Sequence, residues 1–235
     1  MSEYKNQLKK RFEVFKDKYS HKYSPKAWEY IEDNFFDMIH SNETPDILMQ
    51  VYSELDITPS SAMFYRKHLK LLKSKFPIDG NILEIGSGRI PAFANLIASE
   101  QNRIKKGTIT IYDPLLVELT PKYHNMTLHK EYFNLDTDVS MYDLLVGIMP
   151  CEATESILES AISNKKDFYV AMCGCVHSPW ESMYPFGFST SPEIYQQQVI
   201  SKAKKLMKEY NMGELGVTKL RTSPINYPIL YNRQK

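Results

Sequence analysis

The chain is poor in cysteine and has no long apolar run. Three cysteines in 235 residues are too few for a disulfide framework, so a reducing compartment is expected. No stretch approaches the roughly 18 apolar residues of a membrane-spanning helix, and the first residues lack the apolar segment of a secretory signal. The sequence therefore predicts a cytoplasmic protein that does not enter a membrane.

Net charge is also nearly absent. The formal charge is +1, from 29 Lys and Arg against 28 Asp and Glu, and gives no global reason to expect nucleic acid. A hydrophobic content of 43% with 24% charged residues is typical of a globular protein. Composition thus leaves a small molecule or a local RNA contact open as the partner.

The first 76 residues lack strand patterns and are predicted to be helical. Three Ser-Pro or Thr-Pro pairs, at Ser24, Thr44 and Thr58, each place an N-cap before a proline at the first helical position. No Pro/Gly/Ser-rich linker follows. We predict an N-terminal helical region over 1–76, with its aromatic residues in a core, and an α/β domain over 77–235 on which it forms a cap.

A glycine turn organises the second region. In the segment 81–98 an apolar run leads into Gly86-Ser87-Gly88, and apolar residues then recur at helical spacing. Strand, turn and helix form the first βα unit of a doubly wound sheet, which receives a nucleotide-like cofactor. Glycine suits the turn because it adopts positive φ and lets a ligand approach the backbone. The third glycine of a dinucleotide fingerprint is missing, since Pro91 occupies its position.

Six further strands are predicted after this unit, which makes the fold class α/β with a doubly wound, seven-stranded, mostly parallel sheet. The predicted strands cover 108–113, 126–133, 142–150, 167–177, 215–224 and 226–234, and the last two form a closing pair at one edge. In such a sheet, ligands bind beyond the carboxyl ends of the strands.

An acid at the end of the first strand, followed by Gly-x-Gly, resembles motif I of the class I methyltransferases that use S-adenosylmethionine (SAM). The strand count and order over about 78–235 are also similar to that fold, whose seventh strand is antiparallel. The resemblance implies SAM as cofactor, with Glu84 near its amino-acid end and Gly86, Ser87 and Gly88 beneath its methionine and ribose.

The same resemblance implies roles for residues after the second, third and fourth strands. Asp113, followed by Pro114, would accept hydrogen bonds from both ribose hydroxyls, although Asp-Pro is equally common as a turn. Glu131 or Asp136 would hold the adenine, or either is surface charge. Pro150 ends the fourth strand at the same rim.

Cysteines and a histidine follow the fourth and fifth strands: Cys151, Cys173, Cys175 and His177. Three readings stay open. The cysteines fill tight space, or Cys151 is a covalent nucleophile as in the similar Pro-Cys of RNA 5-methylcytosine methyltransferases, or the four residues hold zinc. The acid that precedes Pro-Cys in that RNA family is missing here. Glu152 and His177 are the candidate bases, and aromatic residues between 180 and 188 predict a lid or acceptor pocket.

The acceptor is a small molecule or RNA, and the absence of Asn-Pro-Pro-Tyr counts against adenine N6 methylation. The Gly-Ser-Gly-Arg-Ile-Pro turn is also similar to that of nicotianamine synthase-like enzymes, which transfer the aminobutanoyl arm of SAM. A SAM-binding protein without turnover is the third alternative. The predicted function is a SAM-dependent methyltransferase with an N-terminal helical cap over its acceptor pocket.

Overall fold

Two compact units make up the chain, Met1–Phe64 and Tyr65–Lys235. The structure is a computed structural model and describes residues 2–39, 46–55, 60–116, 120–173, 192–220 and 227–233. The division predicted at residues 76 and 77 stays a prediction.

The first unit is helical. Its helices are α1 (Ser2–Tyr19), α2 (Pro25–Met38), α3 (Asp46–Glu54) and the start of α4 (Ser60–Lys75). Ser24 caps α2 as predicted, because its Oγ accepts the Ala27 N–H at 3.3 Å. Phe12 stacks on Phe35 with ring centroids 4.2 Å apart, and both side chains are buried. The prediction of an aromatic core is confirmed there but is wrong for Tyr30, which is exposed.

The second unit contains a seven-stranded sheet, as the sequence predicts. The strands are β1 (Asn81–Ile85), β2 (Thr108–Tyr112), β3 (Met126–His129), β4 (Leu144–Ile148), β5 (Asp167–Ala171), β6 (Gly216–Lys219) and β7 (Pro228–Asn232). Their order is β3-β2-β1-β4-β5-β7-β6. Neighbours from β3 to β5 pair in parallel, whereas β7 is antiparallel to both β5 and β6.

Helices cover both faces of the sheet. One face packs on α6 (Thr154–Ser163) and α7 (Pro192–Glu209), which share a core with Leu83 and Ile85. The alternate residues of β1 lie on the opposite face, where α5 (Ala92–Ile104) and α4 contribute Phe93 and His68. A 3₁₀ turn over Cys151–Ala153 precedes α6.

The sheet reverses its winding at β1, which pairs with β2 on one side and β4 on the other. In open α/β sheets, ligands bind beyond the carboxyl ends of the strands at such a reversal, which here are the ends of β1 and β4. The residues from 130 to 143, which join β3 to β4, are all described and contain no helix. None of the described helices is long and apolar enough to cross a membrane.

Candidate functional site

The glycine turn after β1 needs glycine at two positions for different reasons. Gly86 has φ +73°, and a Cβ built on it would lie 2.8 Å from Cα and Cβ of Pro150. Gly88 has φ +76°, but a Cβ there would meet nothing within 4 Å. Gly86 therefore permits the exits of β1 and β4 to approach closely. Gly88 leaves open space beside the backbone that a ligand can use.

Asp113 follows β2 and holds this turn in place. Its side chain is 5% exposed, its Oδ2 accepts the Gly88 N–H at 2.7 Å, and its Oδ1 accepts the Leu115 N–H at 2.7 Å. Each carboxylate oxygen retains a second acceptor site, so the same group can also bind a diol. The turn role and the ligand role predicted for Asp113 are therefore compatible. Pro114 is half-buried next to it, and Ser87 is half-buried within the turn.

Glu84 is a carboxylic acid enclosed by the sheet and α5. It is 1% exposed, the Ala94 N–H donates a hydrogen bond to it, and its Oε2 has no partner among the described residues. Burial above all, together with the nearby charge of Asp113, raises the pKa of Glu84 to about 8, although the Ala94 hydrogen bond opposes this. A buried carboxyl oxygen without a partner marks a place for a polar group of a ligand, because buried polar atoms are normally paired.

The exit of β4 has an unusual backbone. Met149 and Cys151, on either side of Pro150, have φ of +52° and +46°. Each such non-glycine conformation costs about 1–3 kcal/mol, and such strain is concentrated at functional sites. Pro150 is buried, Cys151 is half-buried and Glu152 is exposed. The three predicted residues after β4 therefore differ in their exposure to solvent. No sequence signal announced the strain.

The two candidates for adenine contact lie in different settings. Glu131 is exposed, and its Oε1 lies 3.1 Å from Nδ1 of His129, whose ring stacks on Tyr112 at 4.4 Å between centroids. Asp136 is exposed in a turn in which its N–H donates to Oδ1 of Asn134 at 2.9 Å. Neither Tyr112 nor His129 was predicted as a site residue from the sequence, although both end neighbouring strands.

A cluster of buried polar side chains lies next to Cys173, two residues after the end of β5. Nε2 of Gln196 donates to the carbonyl of Cys173 at 3.2 Å. Burial raises the pKa of Tyr195, and the neighbouring Glu155 and Cys173 raise it further. Glu155, Tyr195 and Gln196 were not predicted as site residues from the sequence, because only the fold brings them together.

The remaining predicted residues at this rim fall outside the described part of the chain. They are Cys175, His177 and the aromatic segment from 180 to 188. Cys173 is 5% exposed, which suits a packing role. Within the residues that the structure describes, no three His, Cys, Asp or Glu side chains gather to hold a metal. The zinc set itself stays untested, because two of its four members are not described.

Comparisons with known proteins give resemblances among solved structures only. No protein-family model matches the sequence, and no curated protein matches it. A Nostoc punctiforme protein described as an O-methyltransferase is 11% identical, with a TM-score of 0.48, over 77% of this chain and 59% of its own. The chain thus spans less than two thirds of that protein.

Two more solved structures have the same kind of likeness. Aeropyrum pernix fibrillarin, solved with SAM, is 13% identical with a TM-score of 0.45, over 69% of this chain and 72% of its own. The METTL16 methyltransferase domain is 11% identical with a TM-score of 0.48, over 76% and 70%. At such identities the likeness concerns the fold alone. The strand order β3-β2-β1-β4-β5-β7-β6 with antiparallel β7 confirms the predicted fold independently.

Proposed function

We propose that this chain, which has the class I methyltransferase fold, binds SAM and transfers its methyl group. One observation carries the proposal. Two buried acids from neighbouring strands lie beside the glycine turn at the sheet's switch point. Asp113 accepts the Gly88 N–H, and Glu84, two residues before Gly86, is close enough to Asp113 for their charges to interact. A purely structural turn needs neither a second acid nor a buried carboxyl oxygen without a partner.

The residues at this edge fit the groups that SAM carries. The Glu84 carboxyl can receive the ammonium of the amino-acid end, and Asp113 has acceptor sites left for the ribose hydroxyls. The open space beside Gly88 lets a ligand approach the backbone. Bound SAM supplies an electrophilic methyl group on its sulfonium.

The chain's own contribution to transfer is orientation and proton removal. Asp113 fixes the glycine turn through the Gly88 N–H, so a bound ligand meets a preset backbone rather than a mobile one. Glu152 is exposed at the start of the 3₁₀ turn after β4 and can accept a proton from an acceptor. Cys151, half-buried at the same turn, is the candidate nucleophile if the acceptor is a pyrimidine in RNA.

Calorimetric titration with SAM tests the premise. Asp113→Ala should weaken SAM binding about tenfold or more. The variant loses both the proposed charge-assisted contact with the ribose and the hydrogen bond that holds the Gly88 N–H. Asp138→Ala is a matched control. Asp138 also accepts the N–H two residues ahead, from Ser140 at 2.8 Å, but follows β3 in an exposed turn. The absence of SAM binding to the unaltered protein at millimolar ligand would refute the proposal.

The product distinguishes the two transfer reactions. Methyl transfer leaves S-adenosylhomocysteine, whereas transfer of the aminobutanoyl group leaves methylthioadenosine. We expect S-adenosylhomocysteine when the protein is incubated with SAM and fractionated cell extracts as the source of acceptor. Accumulation of methylthioadenosine above the rate of spontaneous SAM breakdown would favour the aminobutanoyl reaction.

A further inference from the structure

We propose that Glu84 is protonated in the free protein and releases that proton when a cationic ligand binds, so that binding is coupled to one proton. This inference rests on the proposed function, since SAM is the cationic ligand. It concerns how the site responds to pH, which SAM binding alone does not specify.

The setting of Glu84 excludes water and provides little compensation for a charge. In the sheet its register partners are Ile111 on β2 and Val146 on β4, and Val146 in turn pairs with Tyr169 on β5. The first two are apolar and all three are buried. An ionised carboxylate in such surroundings lacks solvation, and only the Ala94 N–H offsets this loss.

No cation among the described groups around Glu84 can neutralise it. From β2 the facing group is Asp113, whose negative charge disfavours ionisation of Glu84. The first turn of α5, residues 92–95, contains no charged side chain. The buried titratable group on α4 is His68, which is hydrogen-bonded to the Tyr169 hydroxyl at 2.8 Å. Burial lowers the pKa of His68 to about 4, so it is uncharged near neutrality. Arg89, beyond the turn, is exposed.

A bound ammonium would therefore be the first positive charge to reach this carboxyl. The neutral acid is then replaced by a carboxylate–ammonium pair, and the proton passes to solvent. Charge balances, because one cation enters and one proton leaves. The pKa of about 8 puts the neutral acid in the majority at pH 7, so the release should be measurable there.

Calorimetry in two buffers of different ionisation enthalpy measures the protons released on binding. At about pH 7 we expect most of one proton to be released per SAM and per S-adenosylhomocysteine. The release should fall to zero near pH 8 and become uptake above it, because the free ligand's own ammonium loses its proton in the same range. An α-ammonium is still mostly charged at about pH 7, so both ligands bring the cation. Methylthioadenosine has the adenosine but neither the ammonium nor the sulfonium, and should release none.

Variants assign the proton to Glu84. Glu84→Gln keeps the shape and an acceptor for Ala94 but cannot ionise, so the release at about pH 7 should vanish and only the uptake by the ligand's own amine at higher pH should remain. Asp113→Asn removes the neighbouring negative charge, so the midpoint of the release should move to lower pH. Glu155→Gln, a buried carboxylate on α6, should leave the release unchanged.

The outcomes separate this inference from the proposed function. SAM binding without proton release at pH 7 overturns the inference and leaves the function standing. Release that persists in Glu84→Gln also overturns it. Failure of every ligand to bind defeats the proposed function, and the inference falls with it. If Glu84→Gln does not fold, the two-buffer measurement on the unaltered protein decides alone.

Discussion

The buried carboxyl of Glu84 also affects the stability of the free protein, because a buried acid is most stable when neutral. Its pKa of about 8 in the folded state lies above the ordinary value of 4.5, so its contribution to stability is complete below about pH 4.5. That contribution is lost as the pH rises through 8. Each unit of raised pKa corresponds to about 1.4 kcal/mol, so the loss by about pH 9 amounts to several kcal/mol.

Glu84→Gln should therefore be more stable than the unaltered protein at about pH 9 and nearly equal to it at about pH 5. Thermal unfolding of both proteins across this range, without ligand, measures the difference. Glu152→Gln, an exposed carboxylate in the same unit, is the control and should run parallel to the unaltered protein. Parallel curves for Glu84→Gln would mean that Glu84 is ionised in the free protein.

Replacing the two turn glycines with alanine should destabilise the fold by different amounts. Alanine at Gly88 introduces only the strain of positive φ, about 1–2 kcal/mol, because its Cβ meets nothing within 4 Å. Alanine at Gly86 adds a clash with Pro150 to the same strain, and overpacking costs a further 1–3 kcal/mol or so. Urea unfolding should rank Gly86→Ala as the less stable. SAM binding should weaken in Gly88→Ala although that protein is folded, because its methyl group occupies the open space. Equal stability of the two variants would contradict the close approach to Pro150.

At the scale of elements, the fold was predictable because each strand and helix has a local signal. The apolar run before Gly86 and the β-branched run ending at Tyr112 indicate strands, and Ser24 marks a helix start. The ends of strands were less predictable. β4 spans only Leu144–Ile148 within the predicted 142–150, since these five residues are the ones that pair with β5. Apolar composition does not contain that information.

Part of the candidate site was predictable for the same reason. Glu84, Gly86 and Asp113 each follow directly from a strand pattern, because the site lies where strands end. The contacts between Tyr112 and His129 and between Gln196 and Cys173 join residues far apart in sequence, so no spacing reveals them. Left-handed backbone at Met149 and Cys151 has no sequence signature, because neither residue favours it.

A hydrogen bond that joins the ends of β2 and β3 places Glu131 near Asp113, so we expect Glu131 rather than Asp136 to contact the adenine. The Asp113 N–H donates to the His129 carbonyl at 3.1 Å, so Glu131 follows β3 two residues beyond a partner of Asp113. Glu131→Ala should weaken SAM and methylthioadenosine about tenfold each, because they share the adenosine. Asp136→Ala is the matched control and should leave both unchanged, since its turn is held by Asn134. The reverse pattern in the titrations would assign the contact to Asp136.

At the scale of the whole molecule, the described ligand-binding candidates all belong to the second unit, Tyr65–Lys235. The first unit has its own buried core, in which Phe35 contacts Phe12 and its carbonyl accepts a hydrogen bond from the Tyr52 hydroxyl. The second unit has a separate core that contains Phe168 on β5. Both phenylalanines are fully buried, so they make a matched pair for asking which core SAM binding depends on.

Phe35→Ala and Phe168→Ala should each destabilise the unit that contains them by about 3–5 kcal/mol. Because the proposed contacts lie on the sheet, Phe35→Ala should bind SAM within about threefold of the unaltered protein. Phe168→Ala should lose most of its binding, since Leu83 and Ile85 of β1, the strand that leads into the glycine turn, belong to the same core. Calorimetric unfolding with and without saturating SAM measures both effects, as the ligand raises the transition of the unit that binds it. Loss of SAM binding in Phe35→Ala, with the second transition intact, would show that the helical unit supplies part of the site.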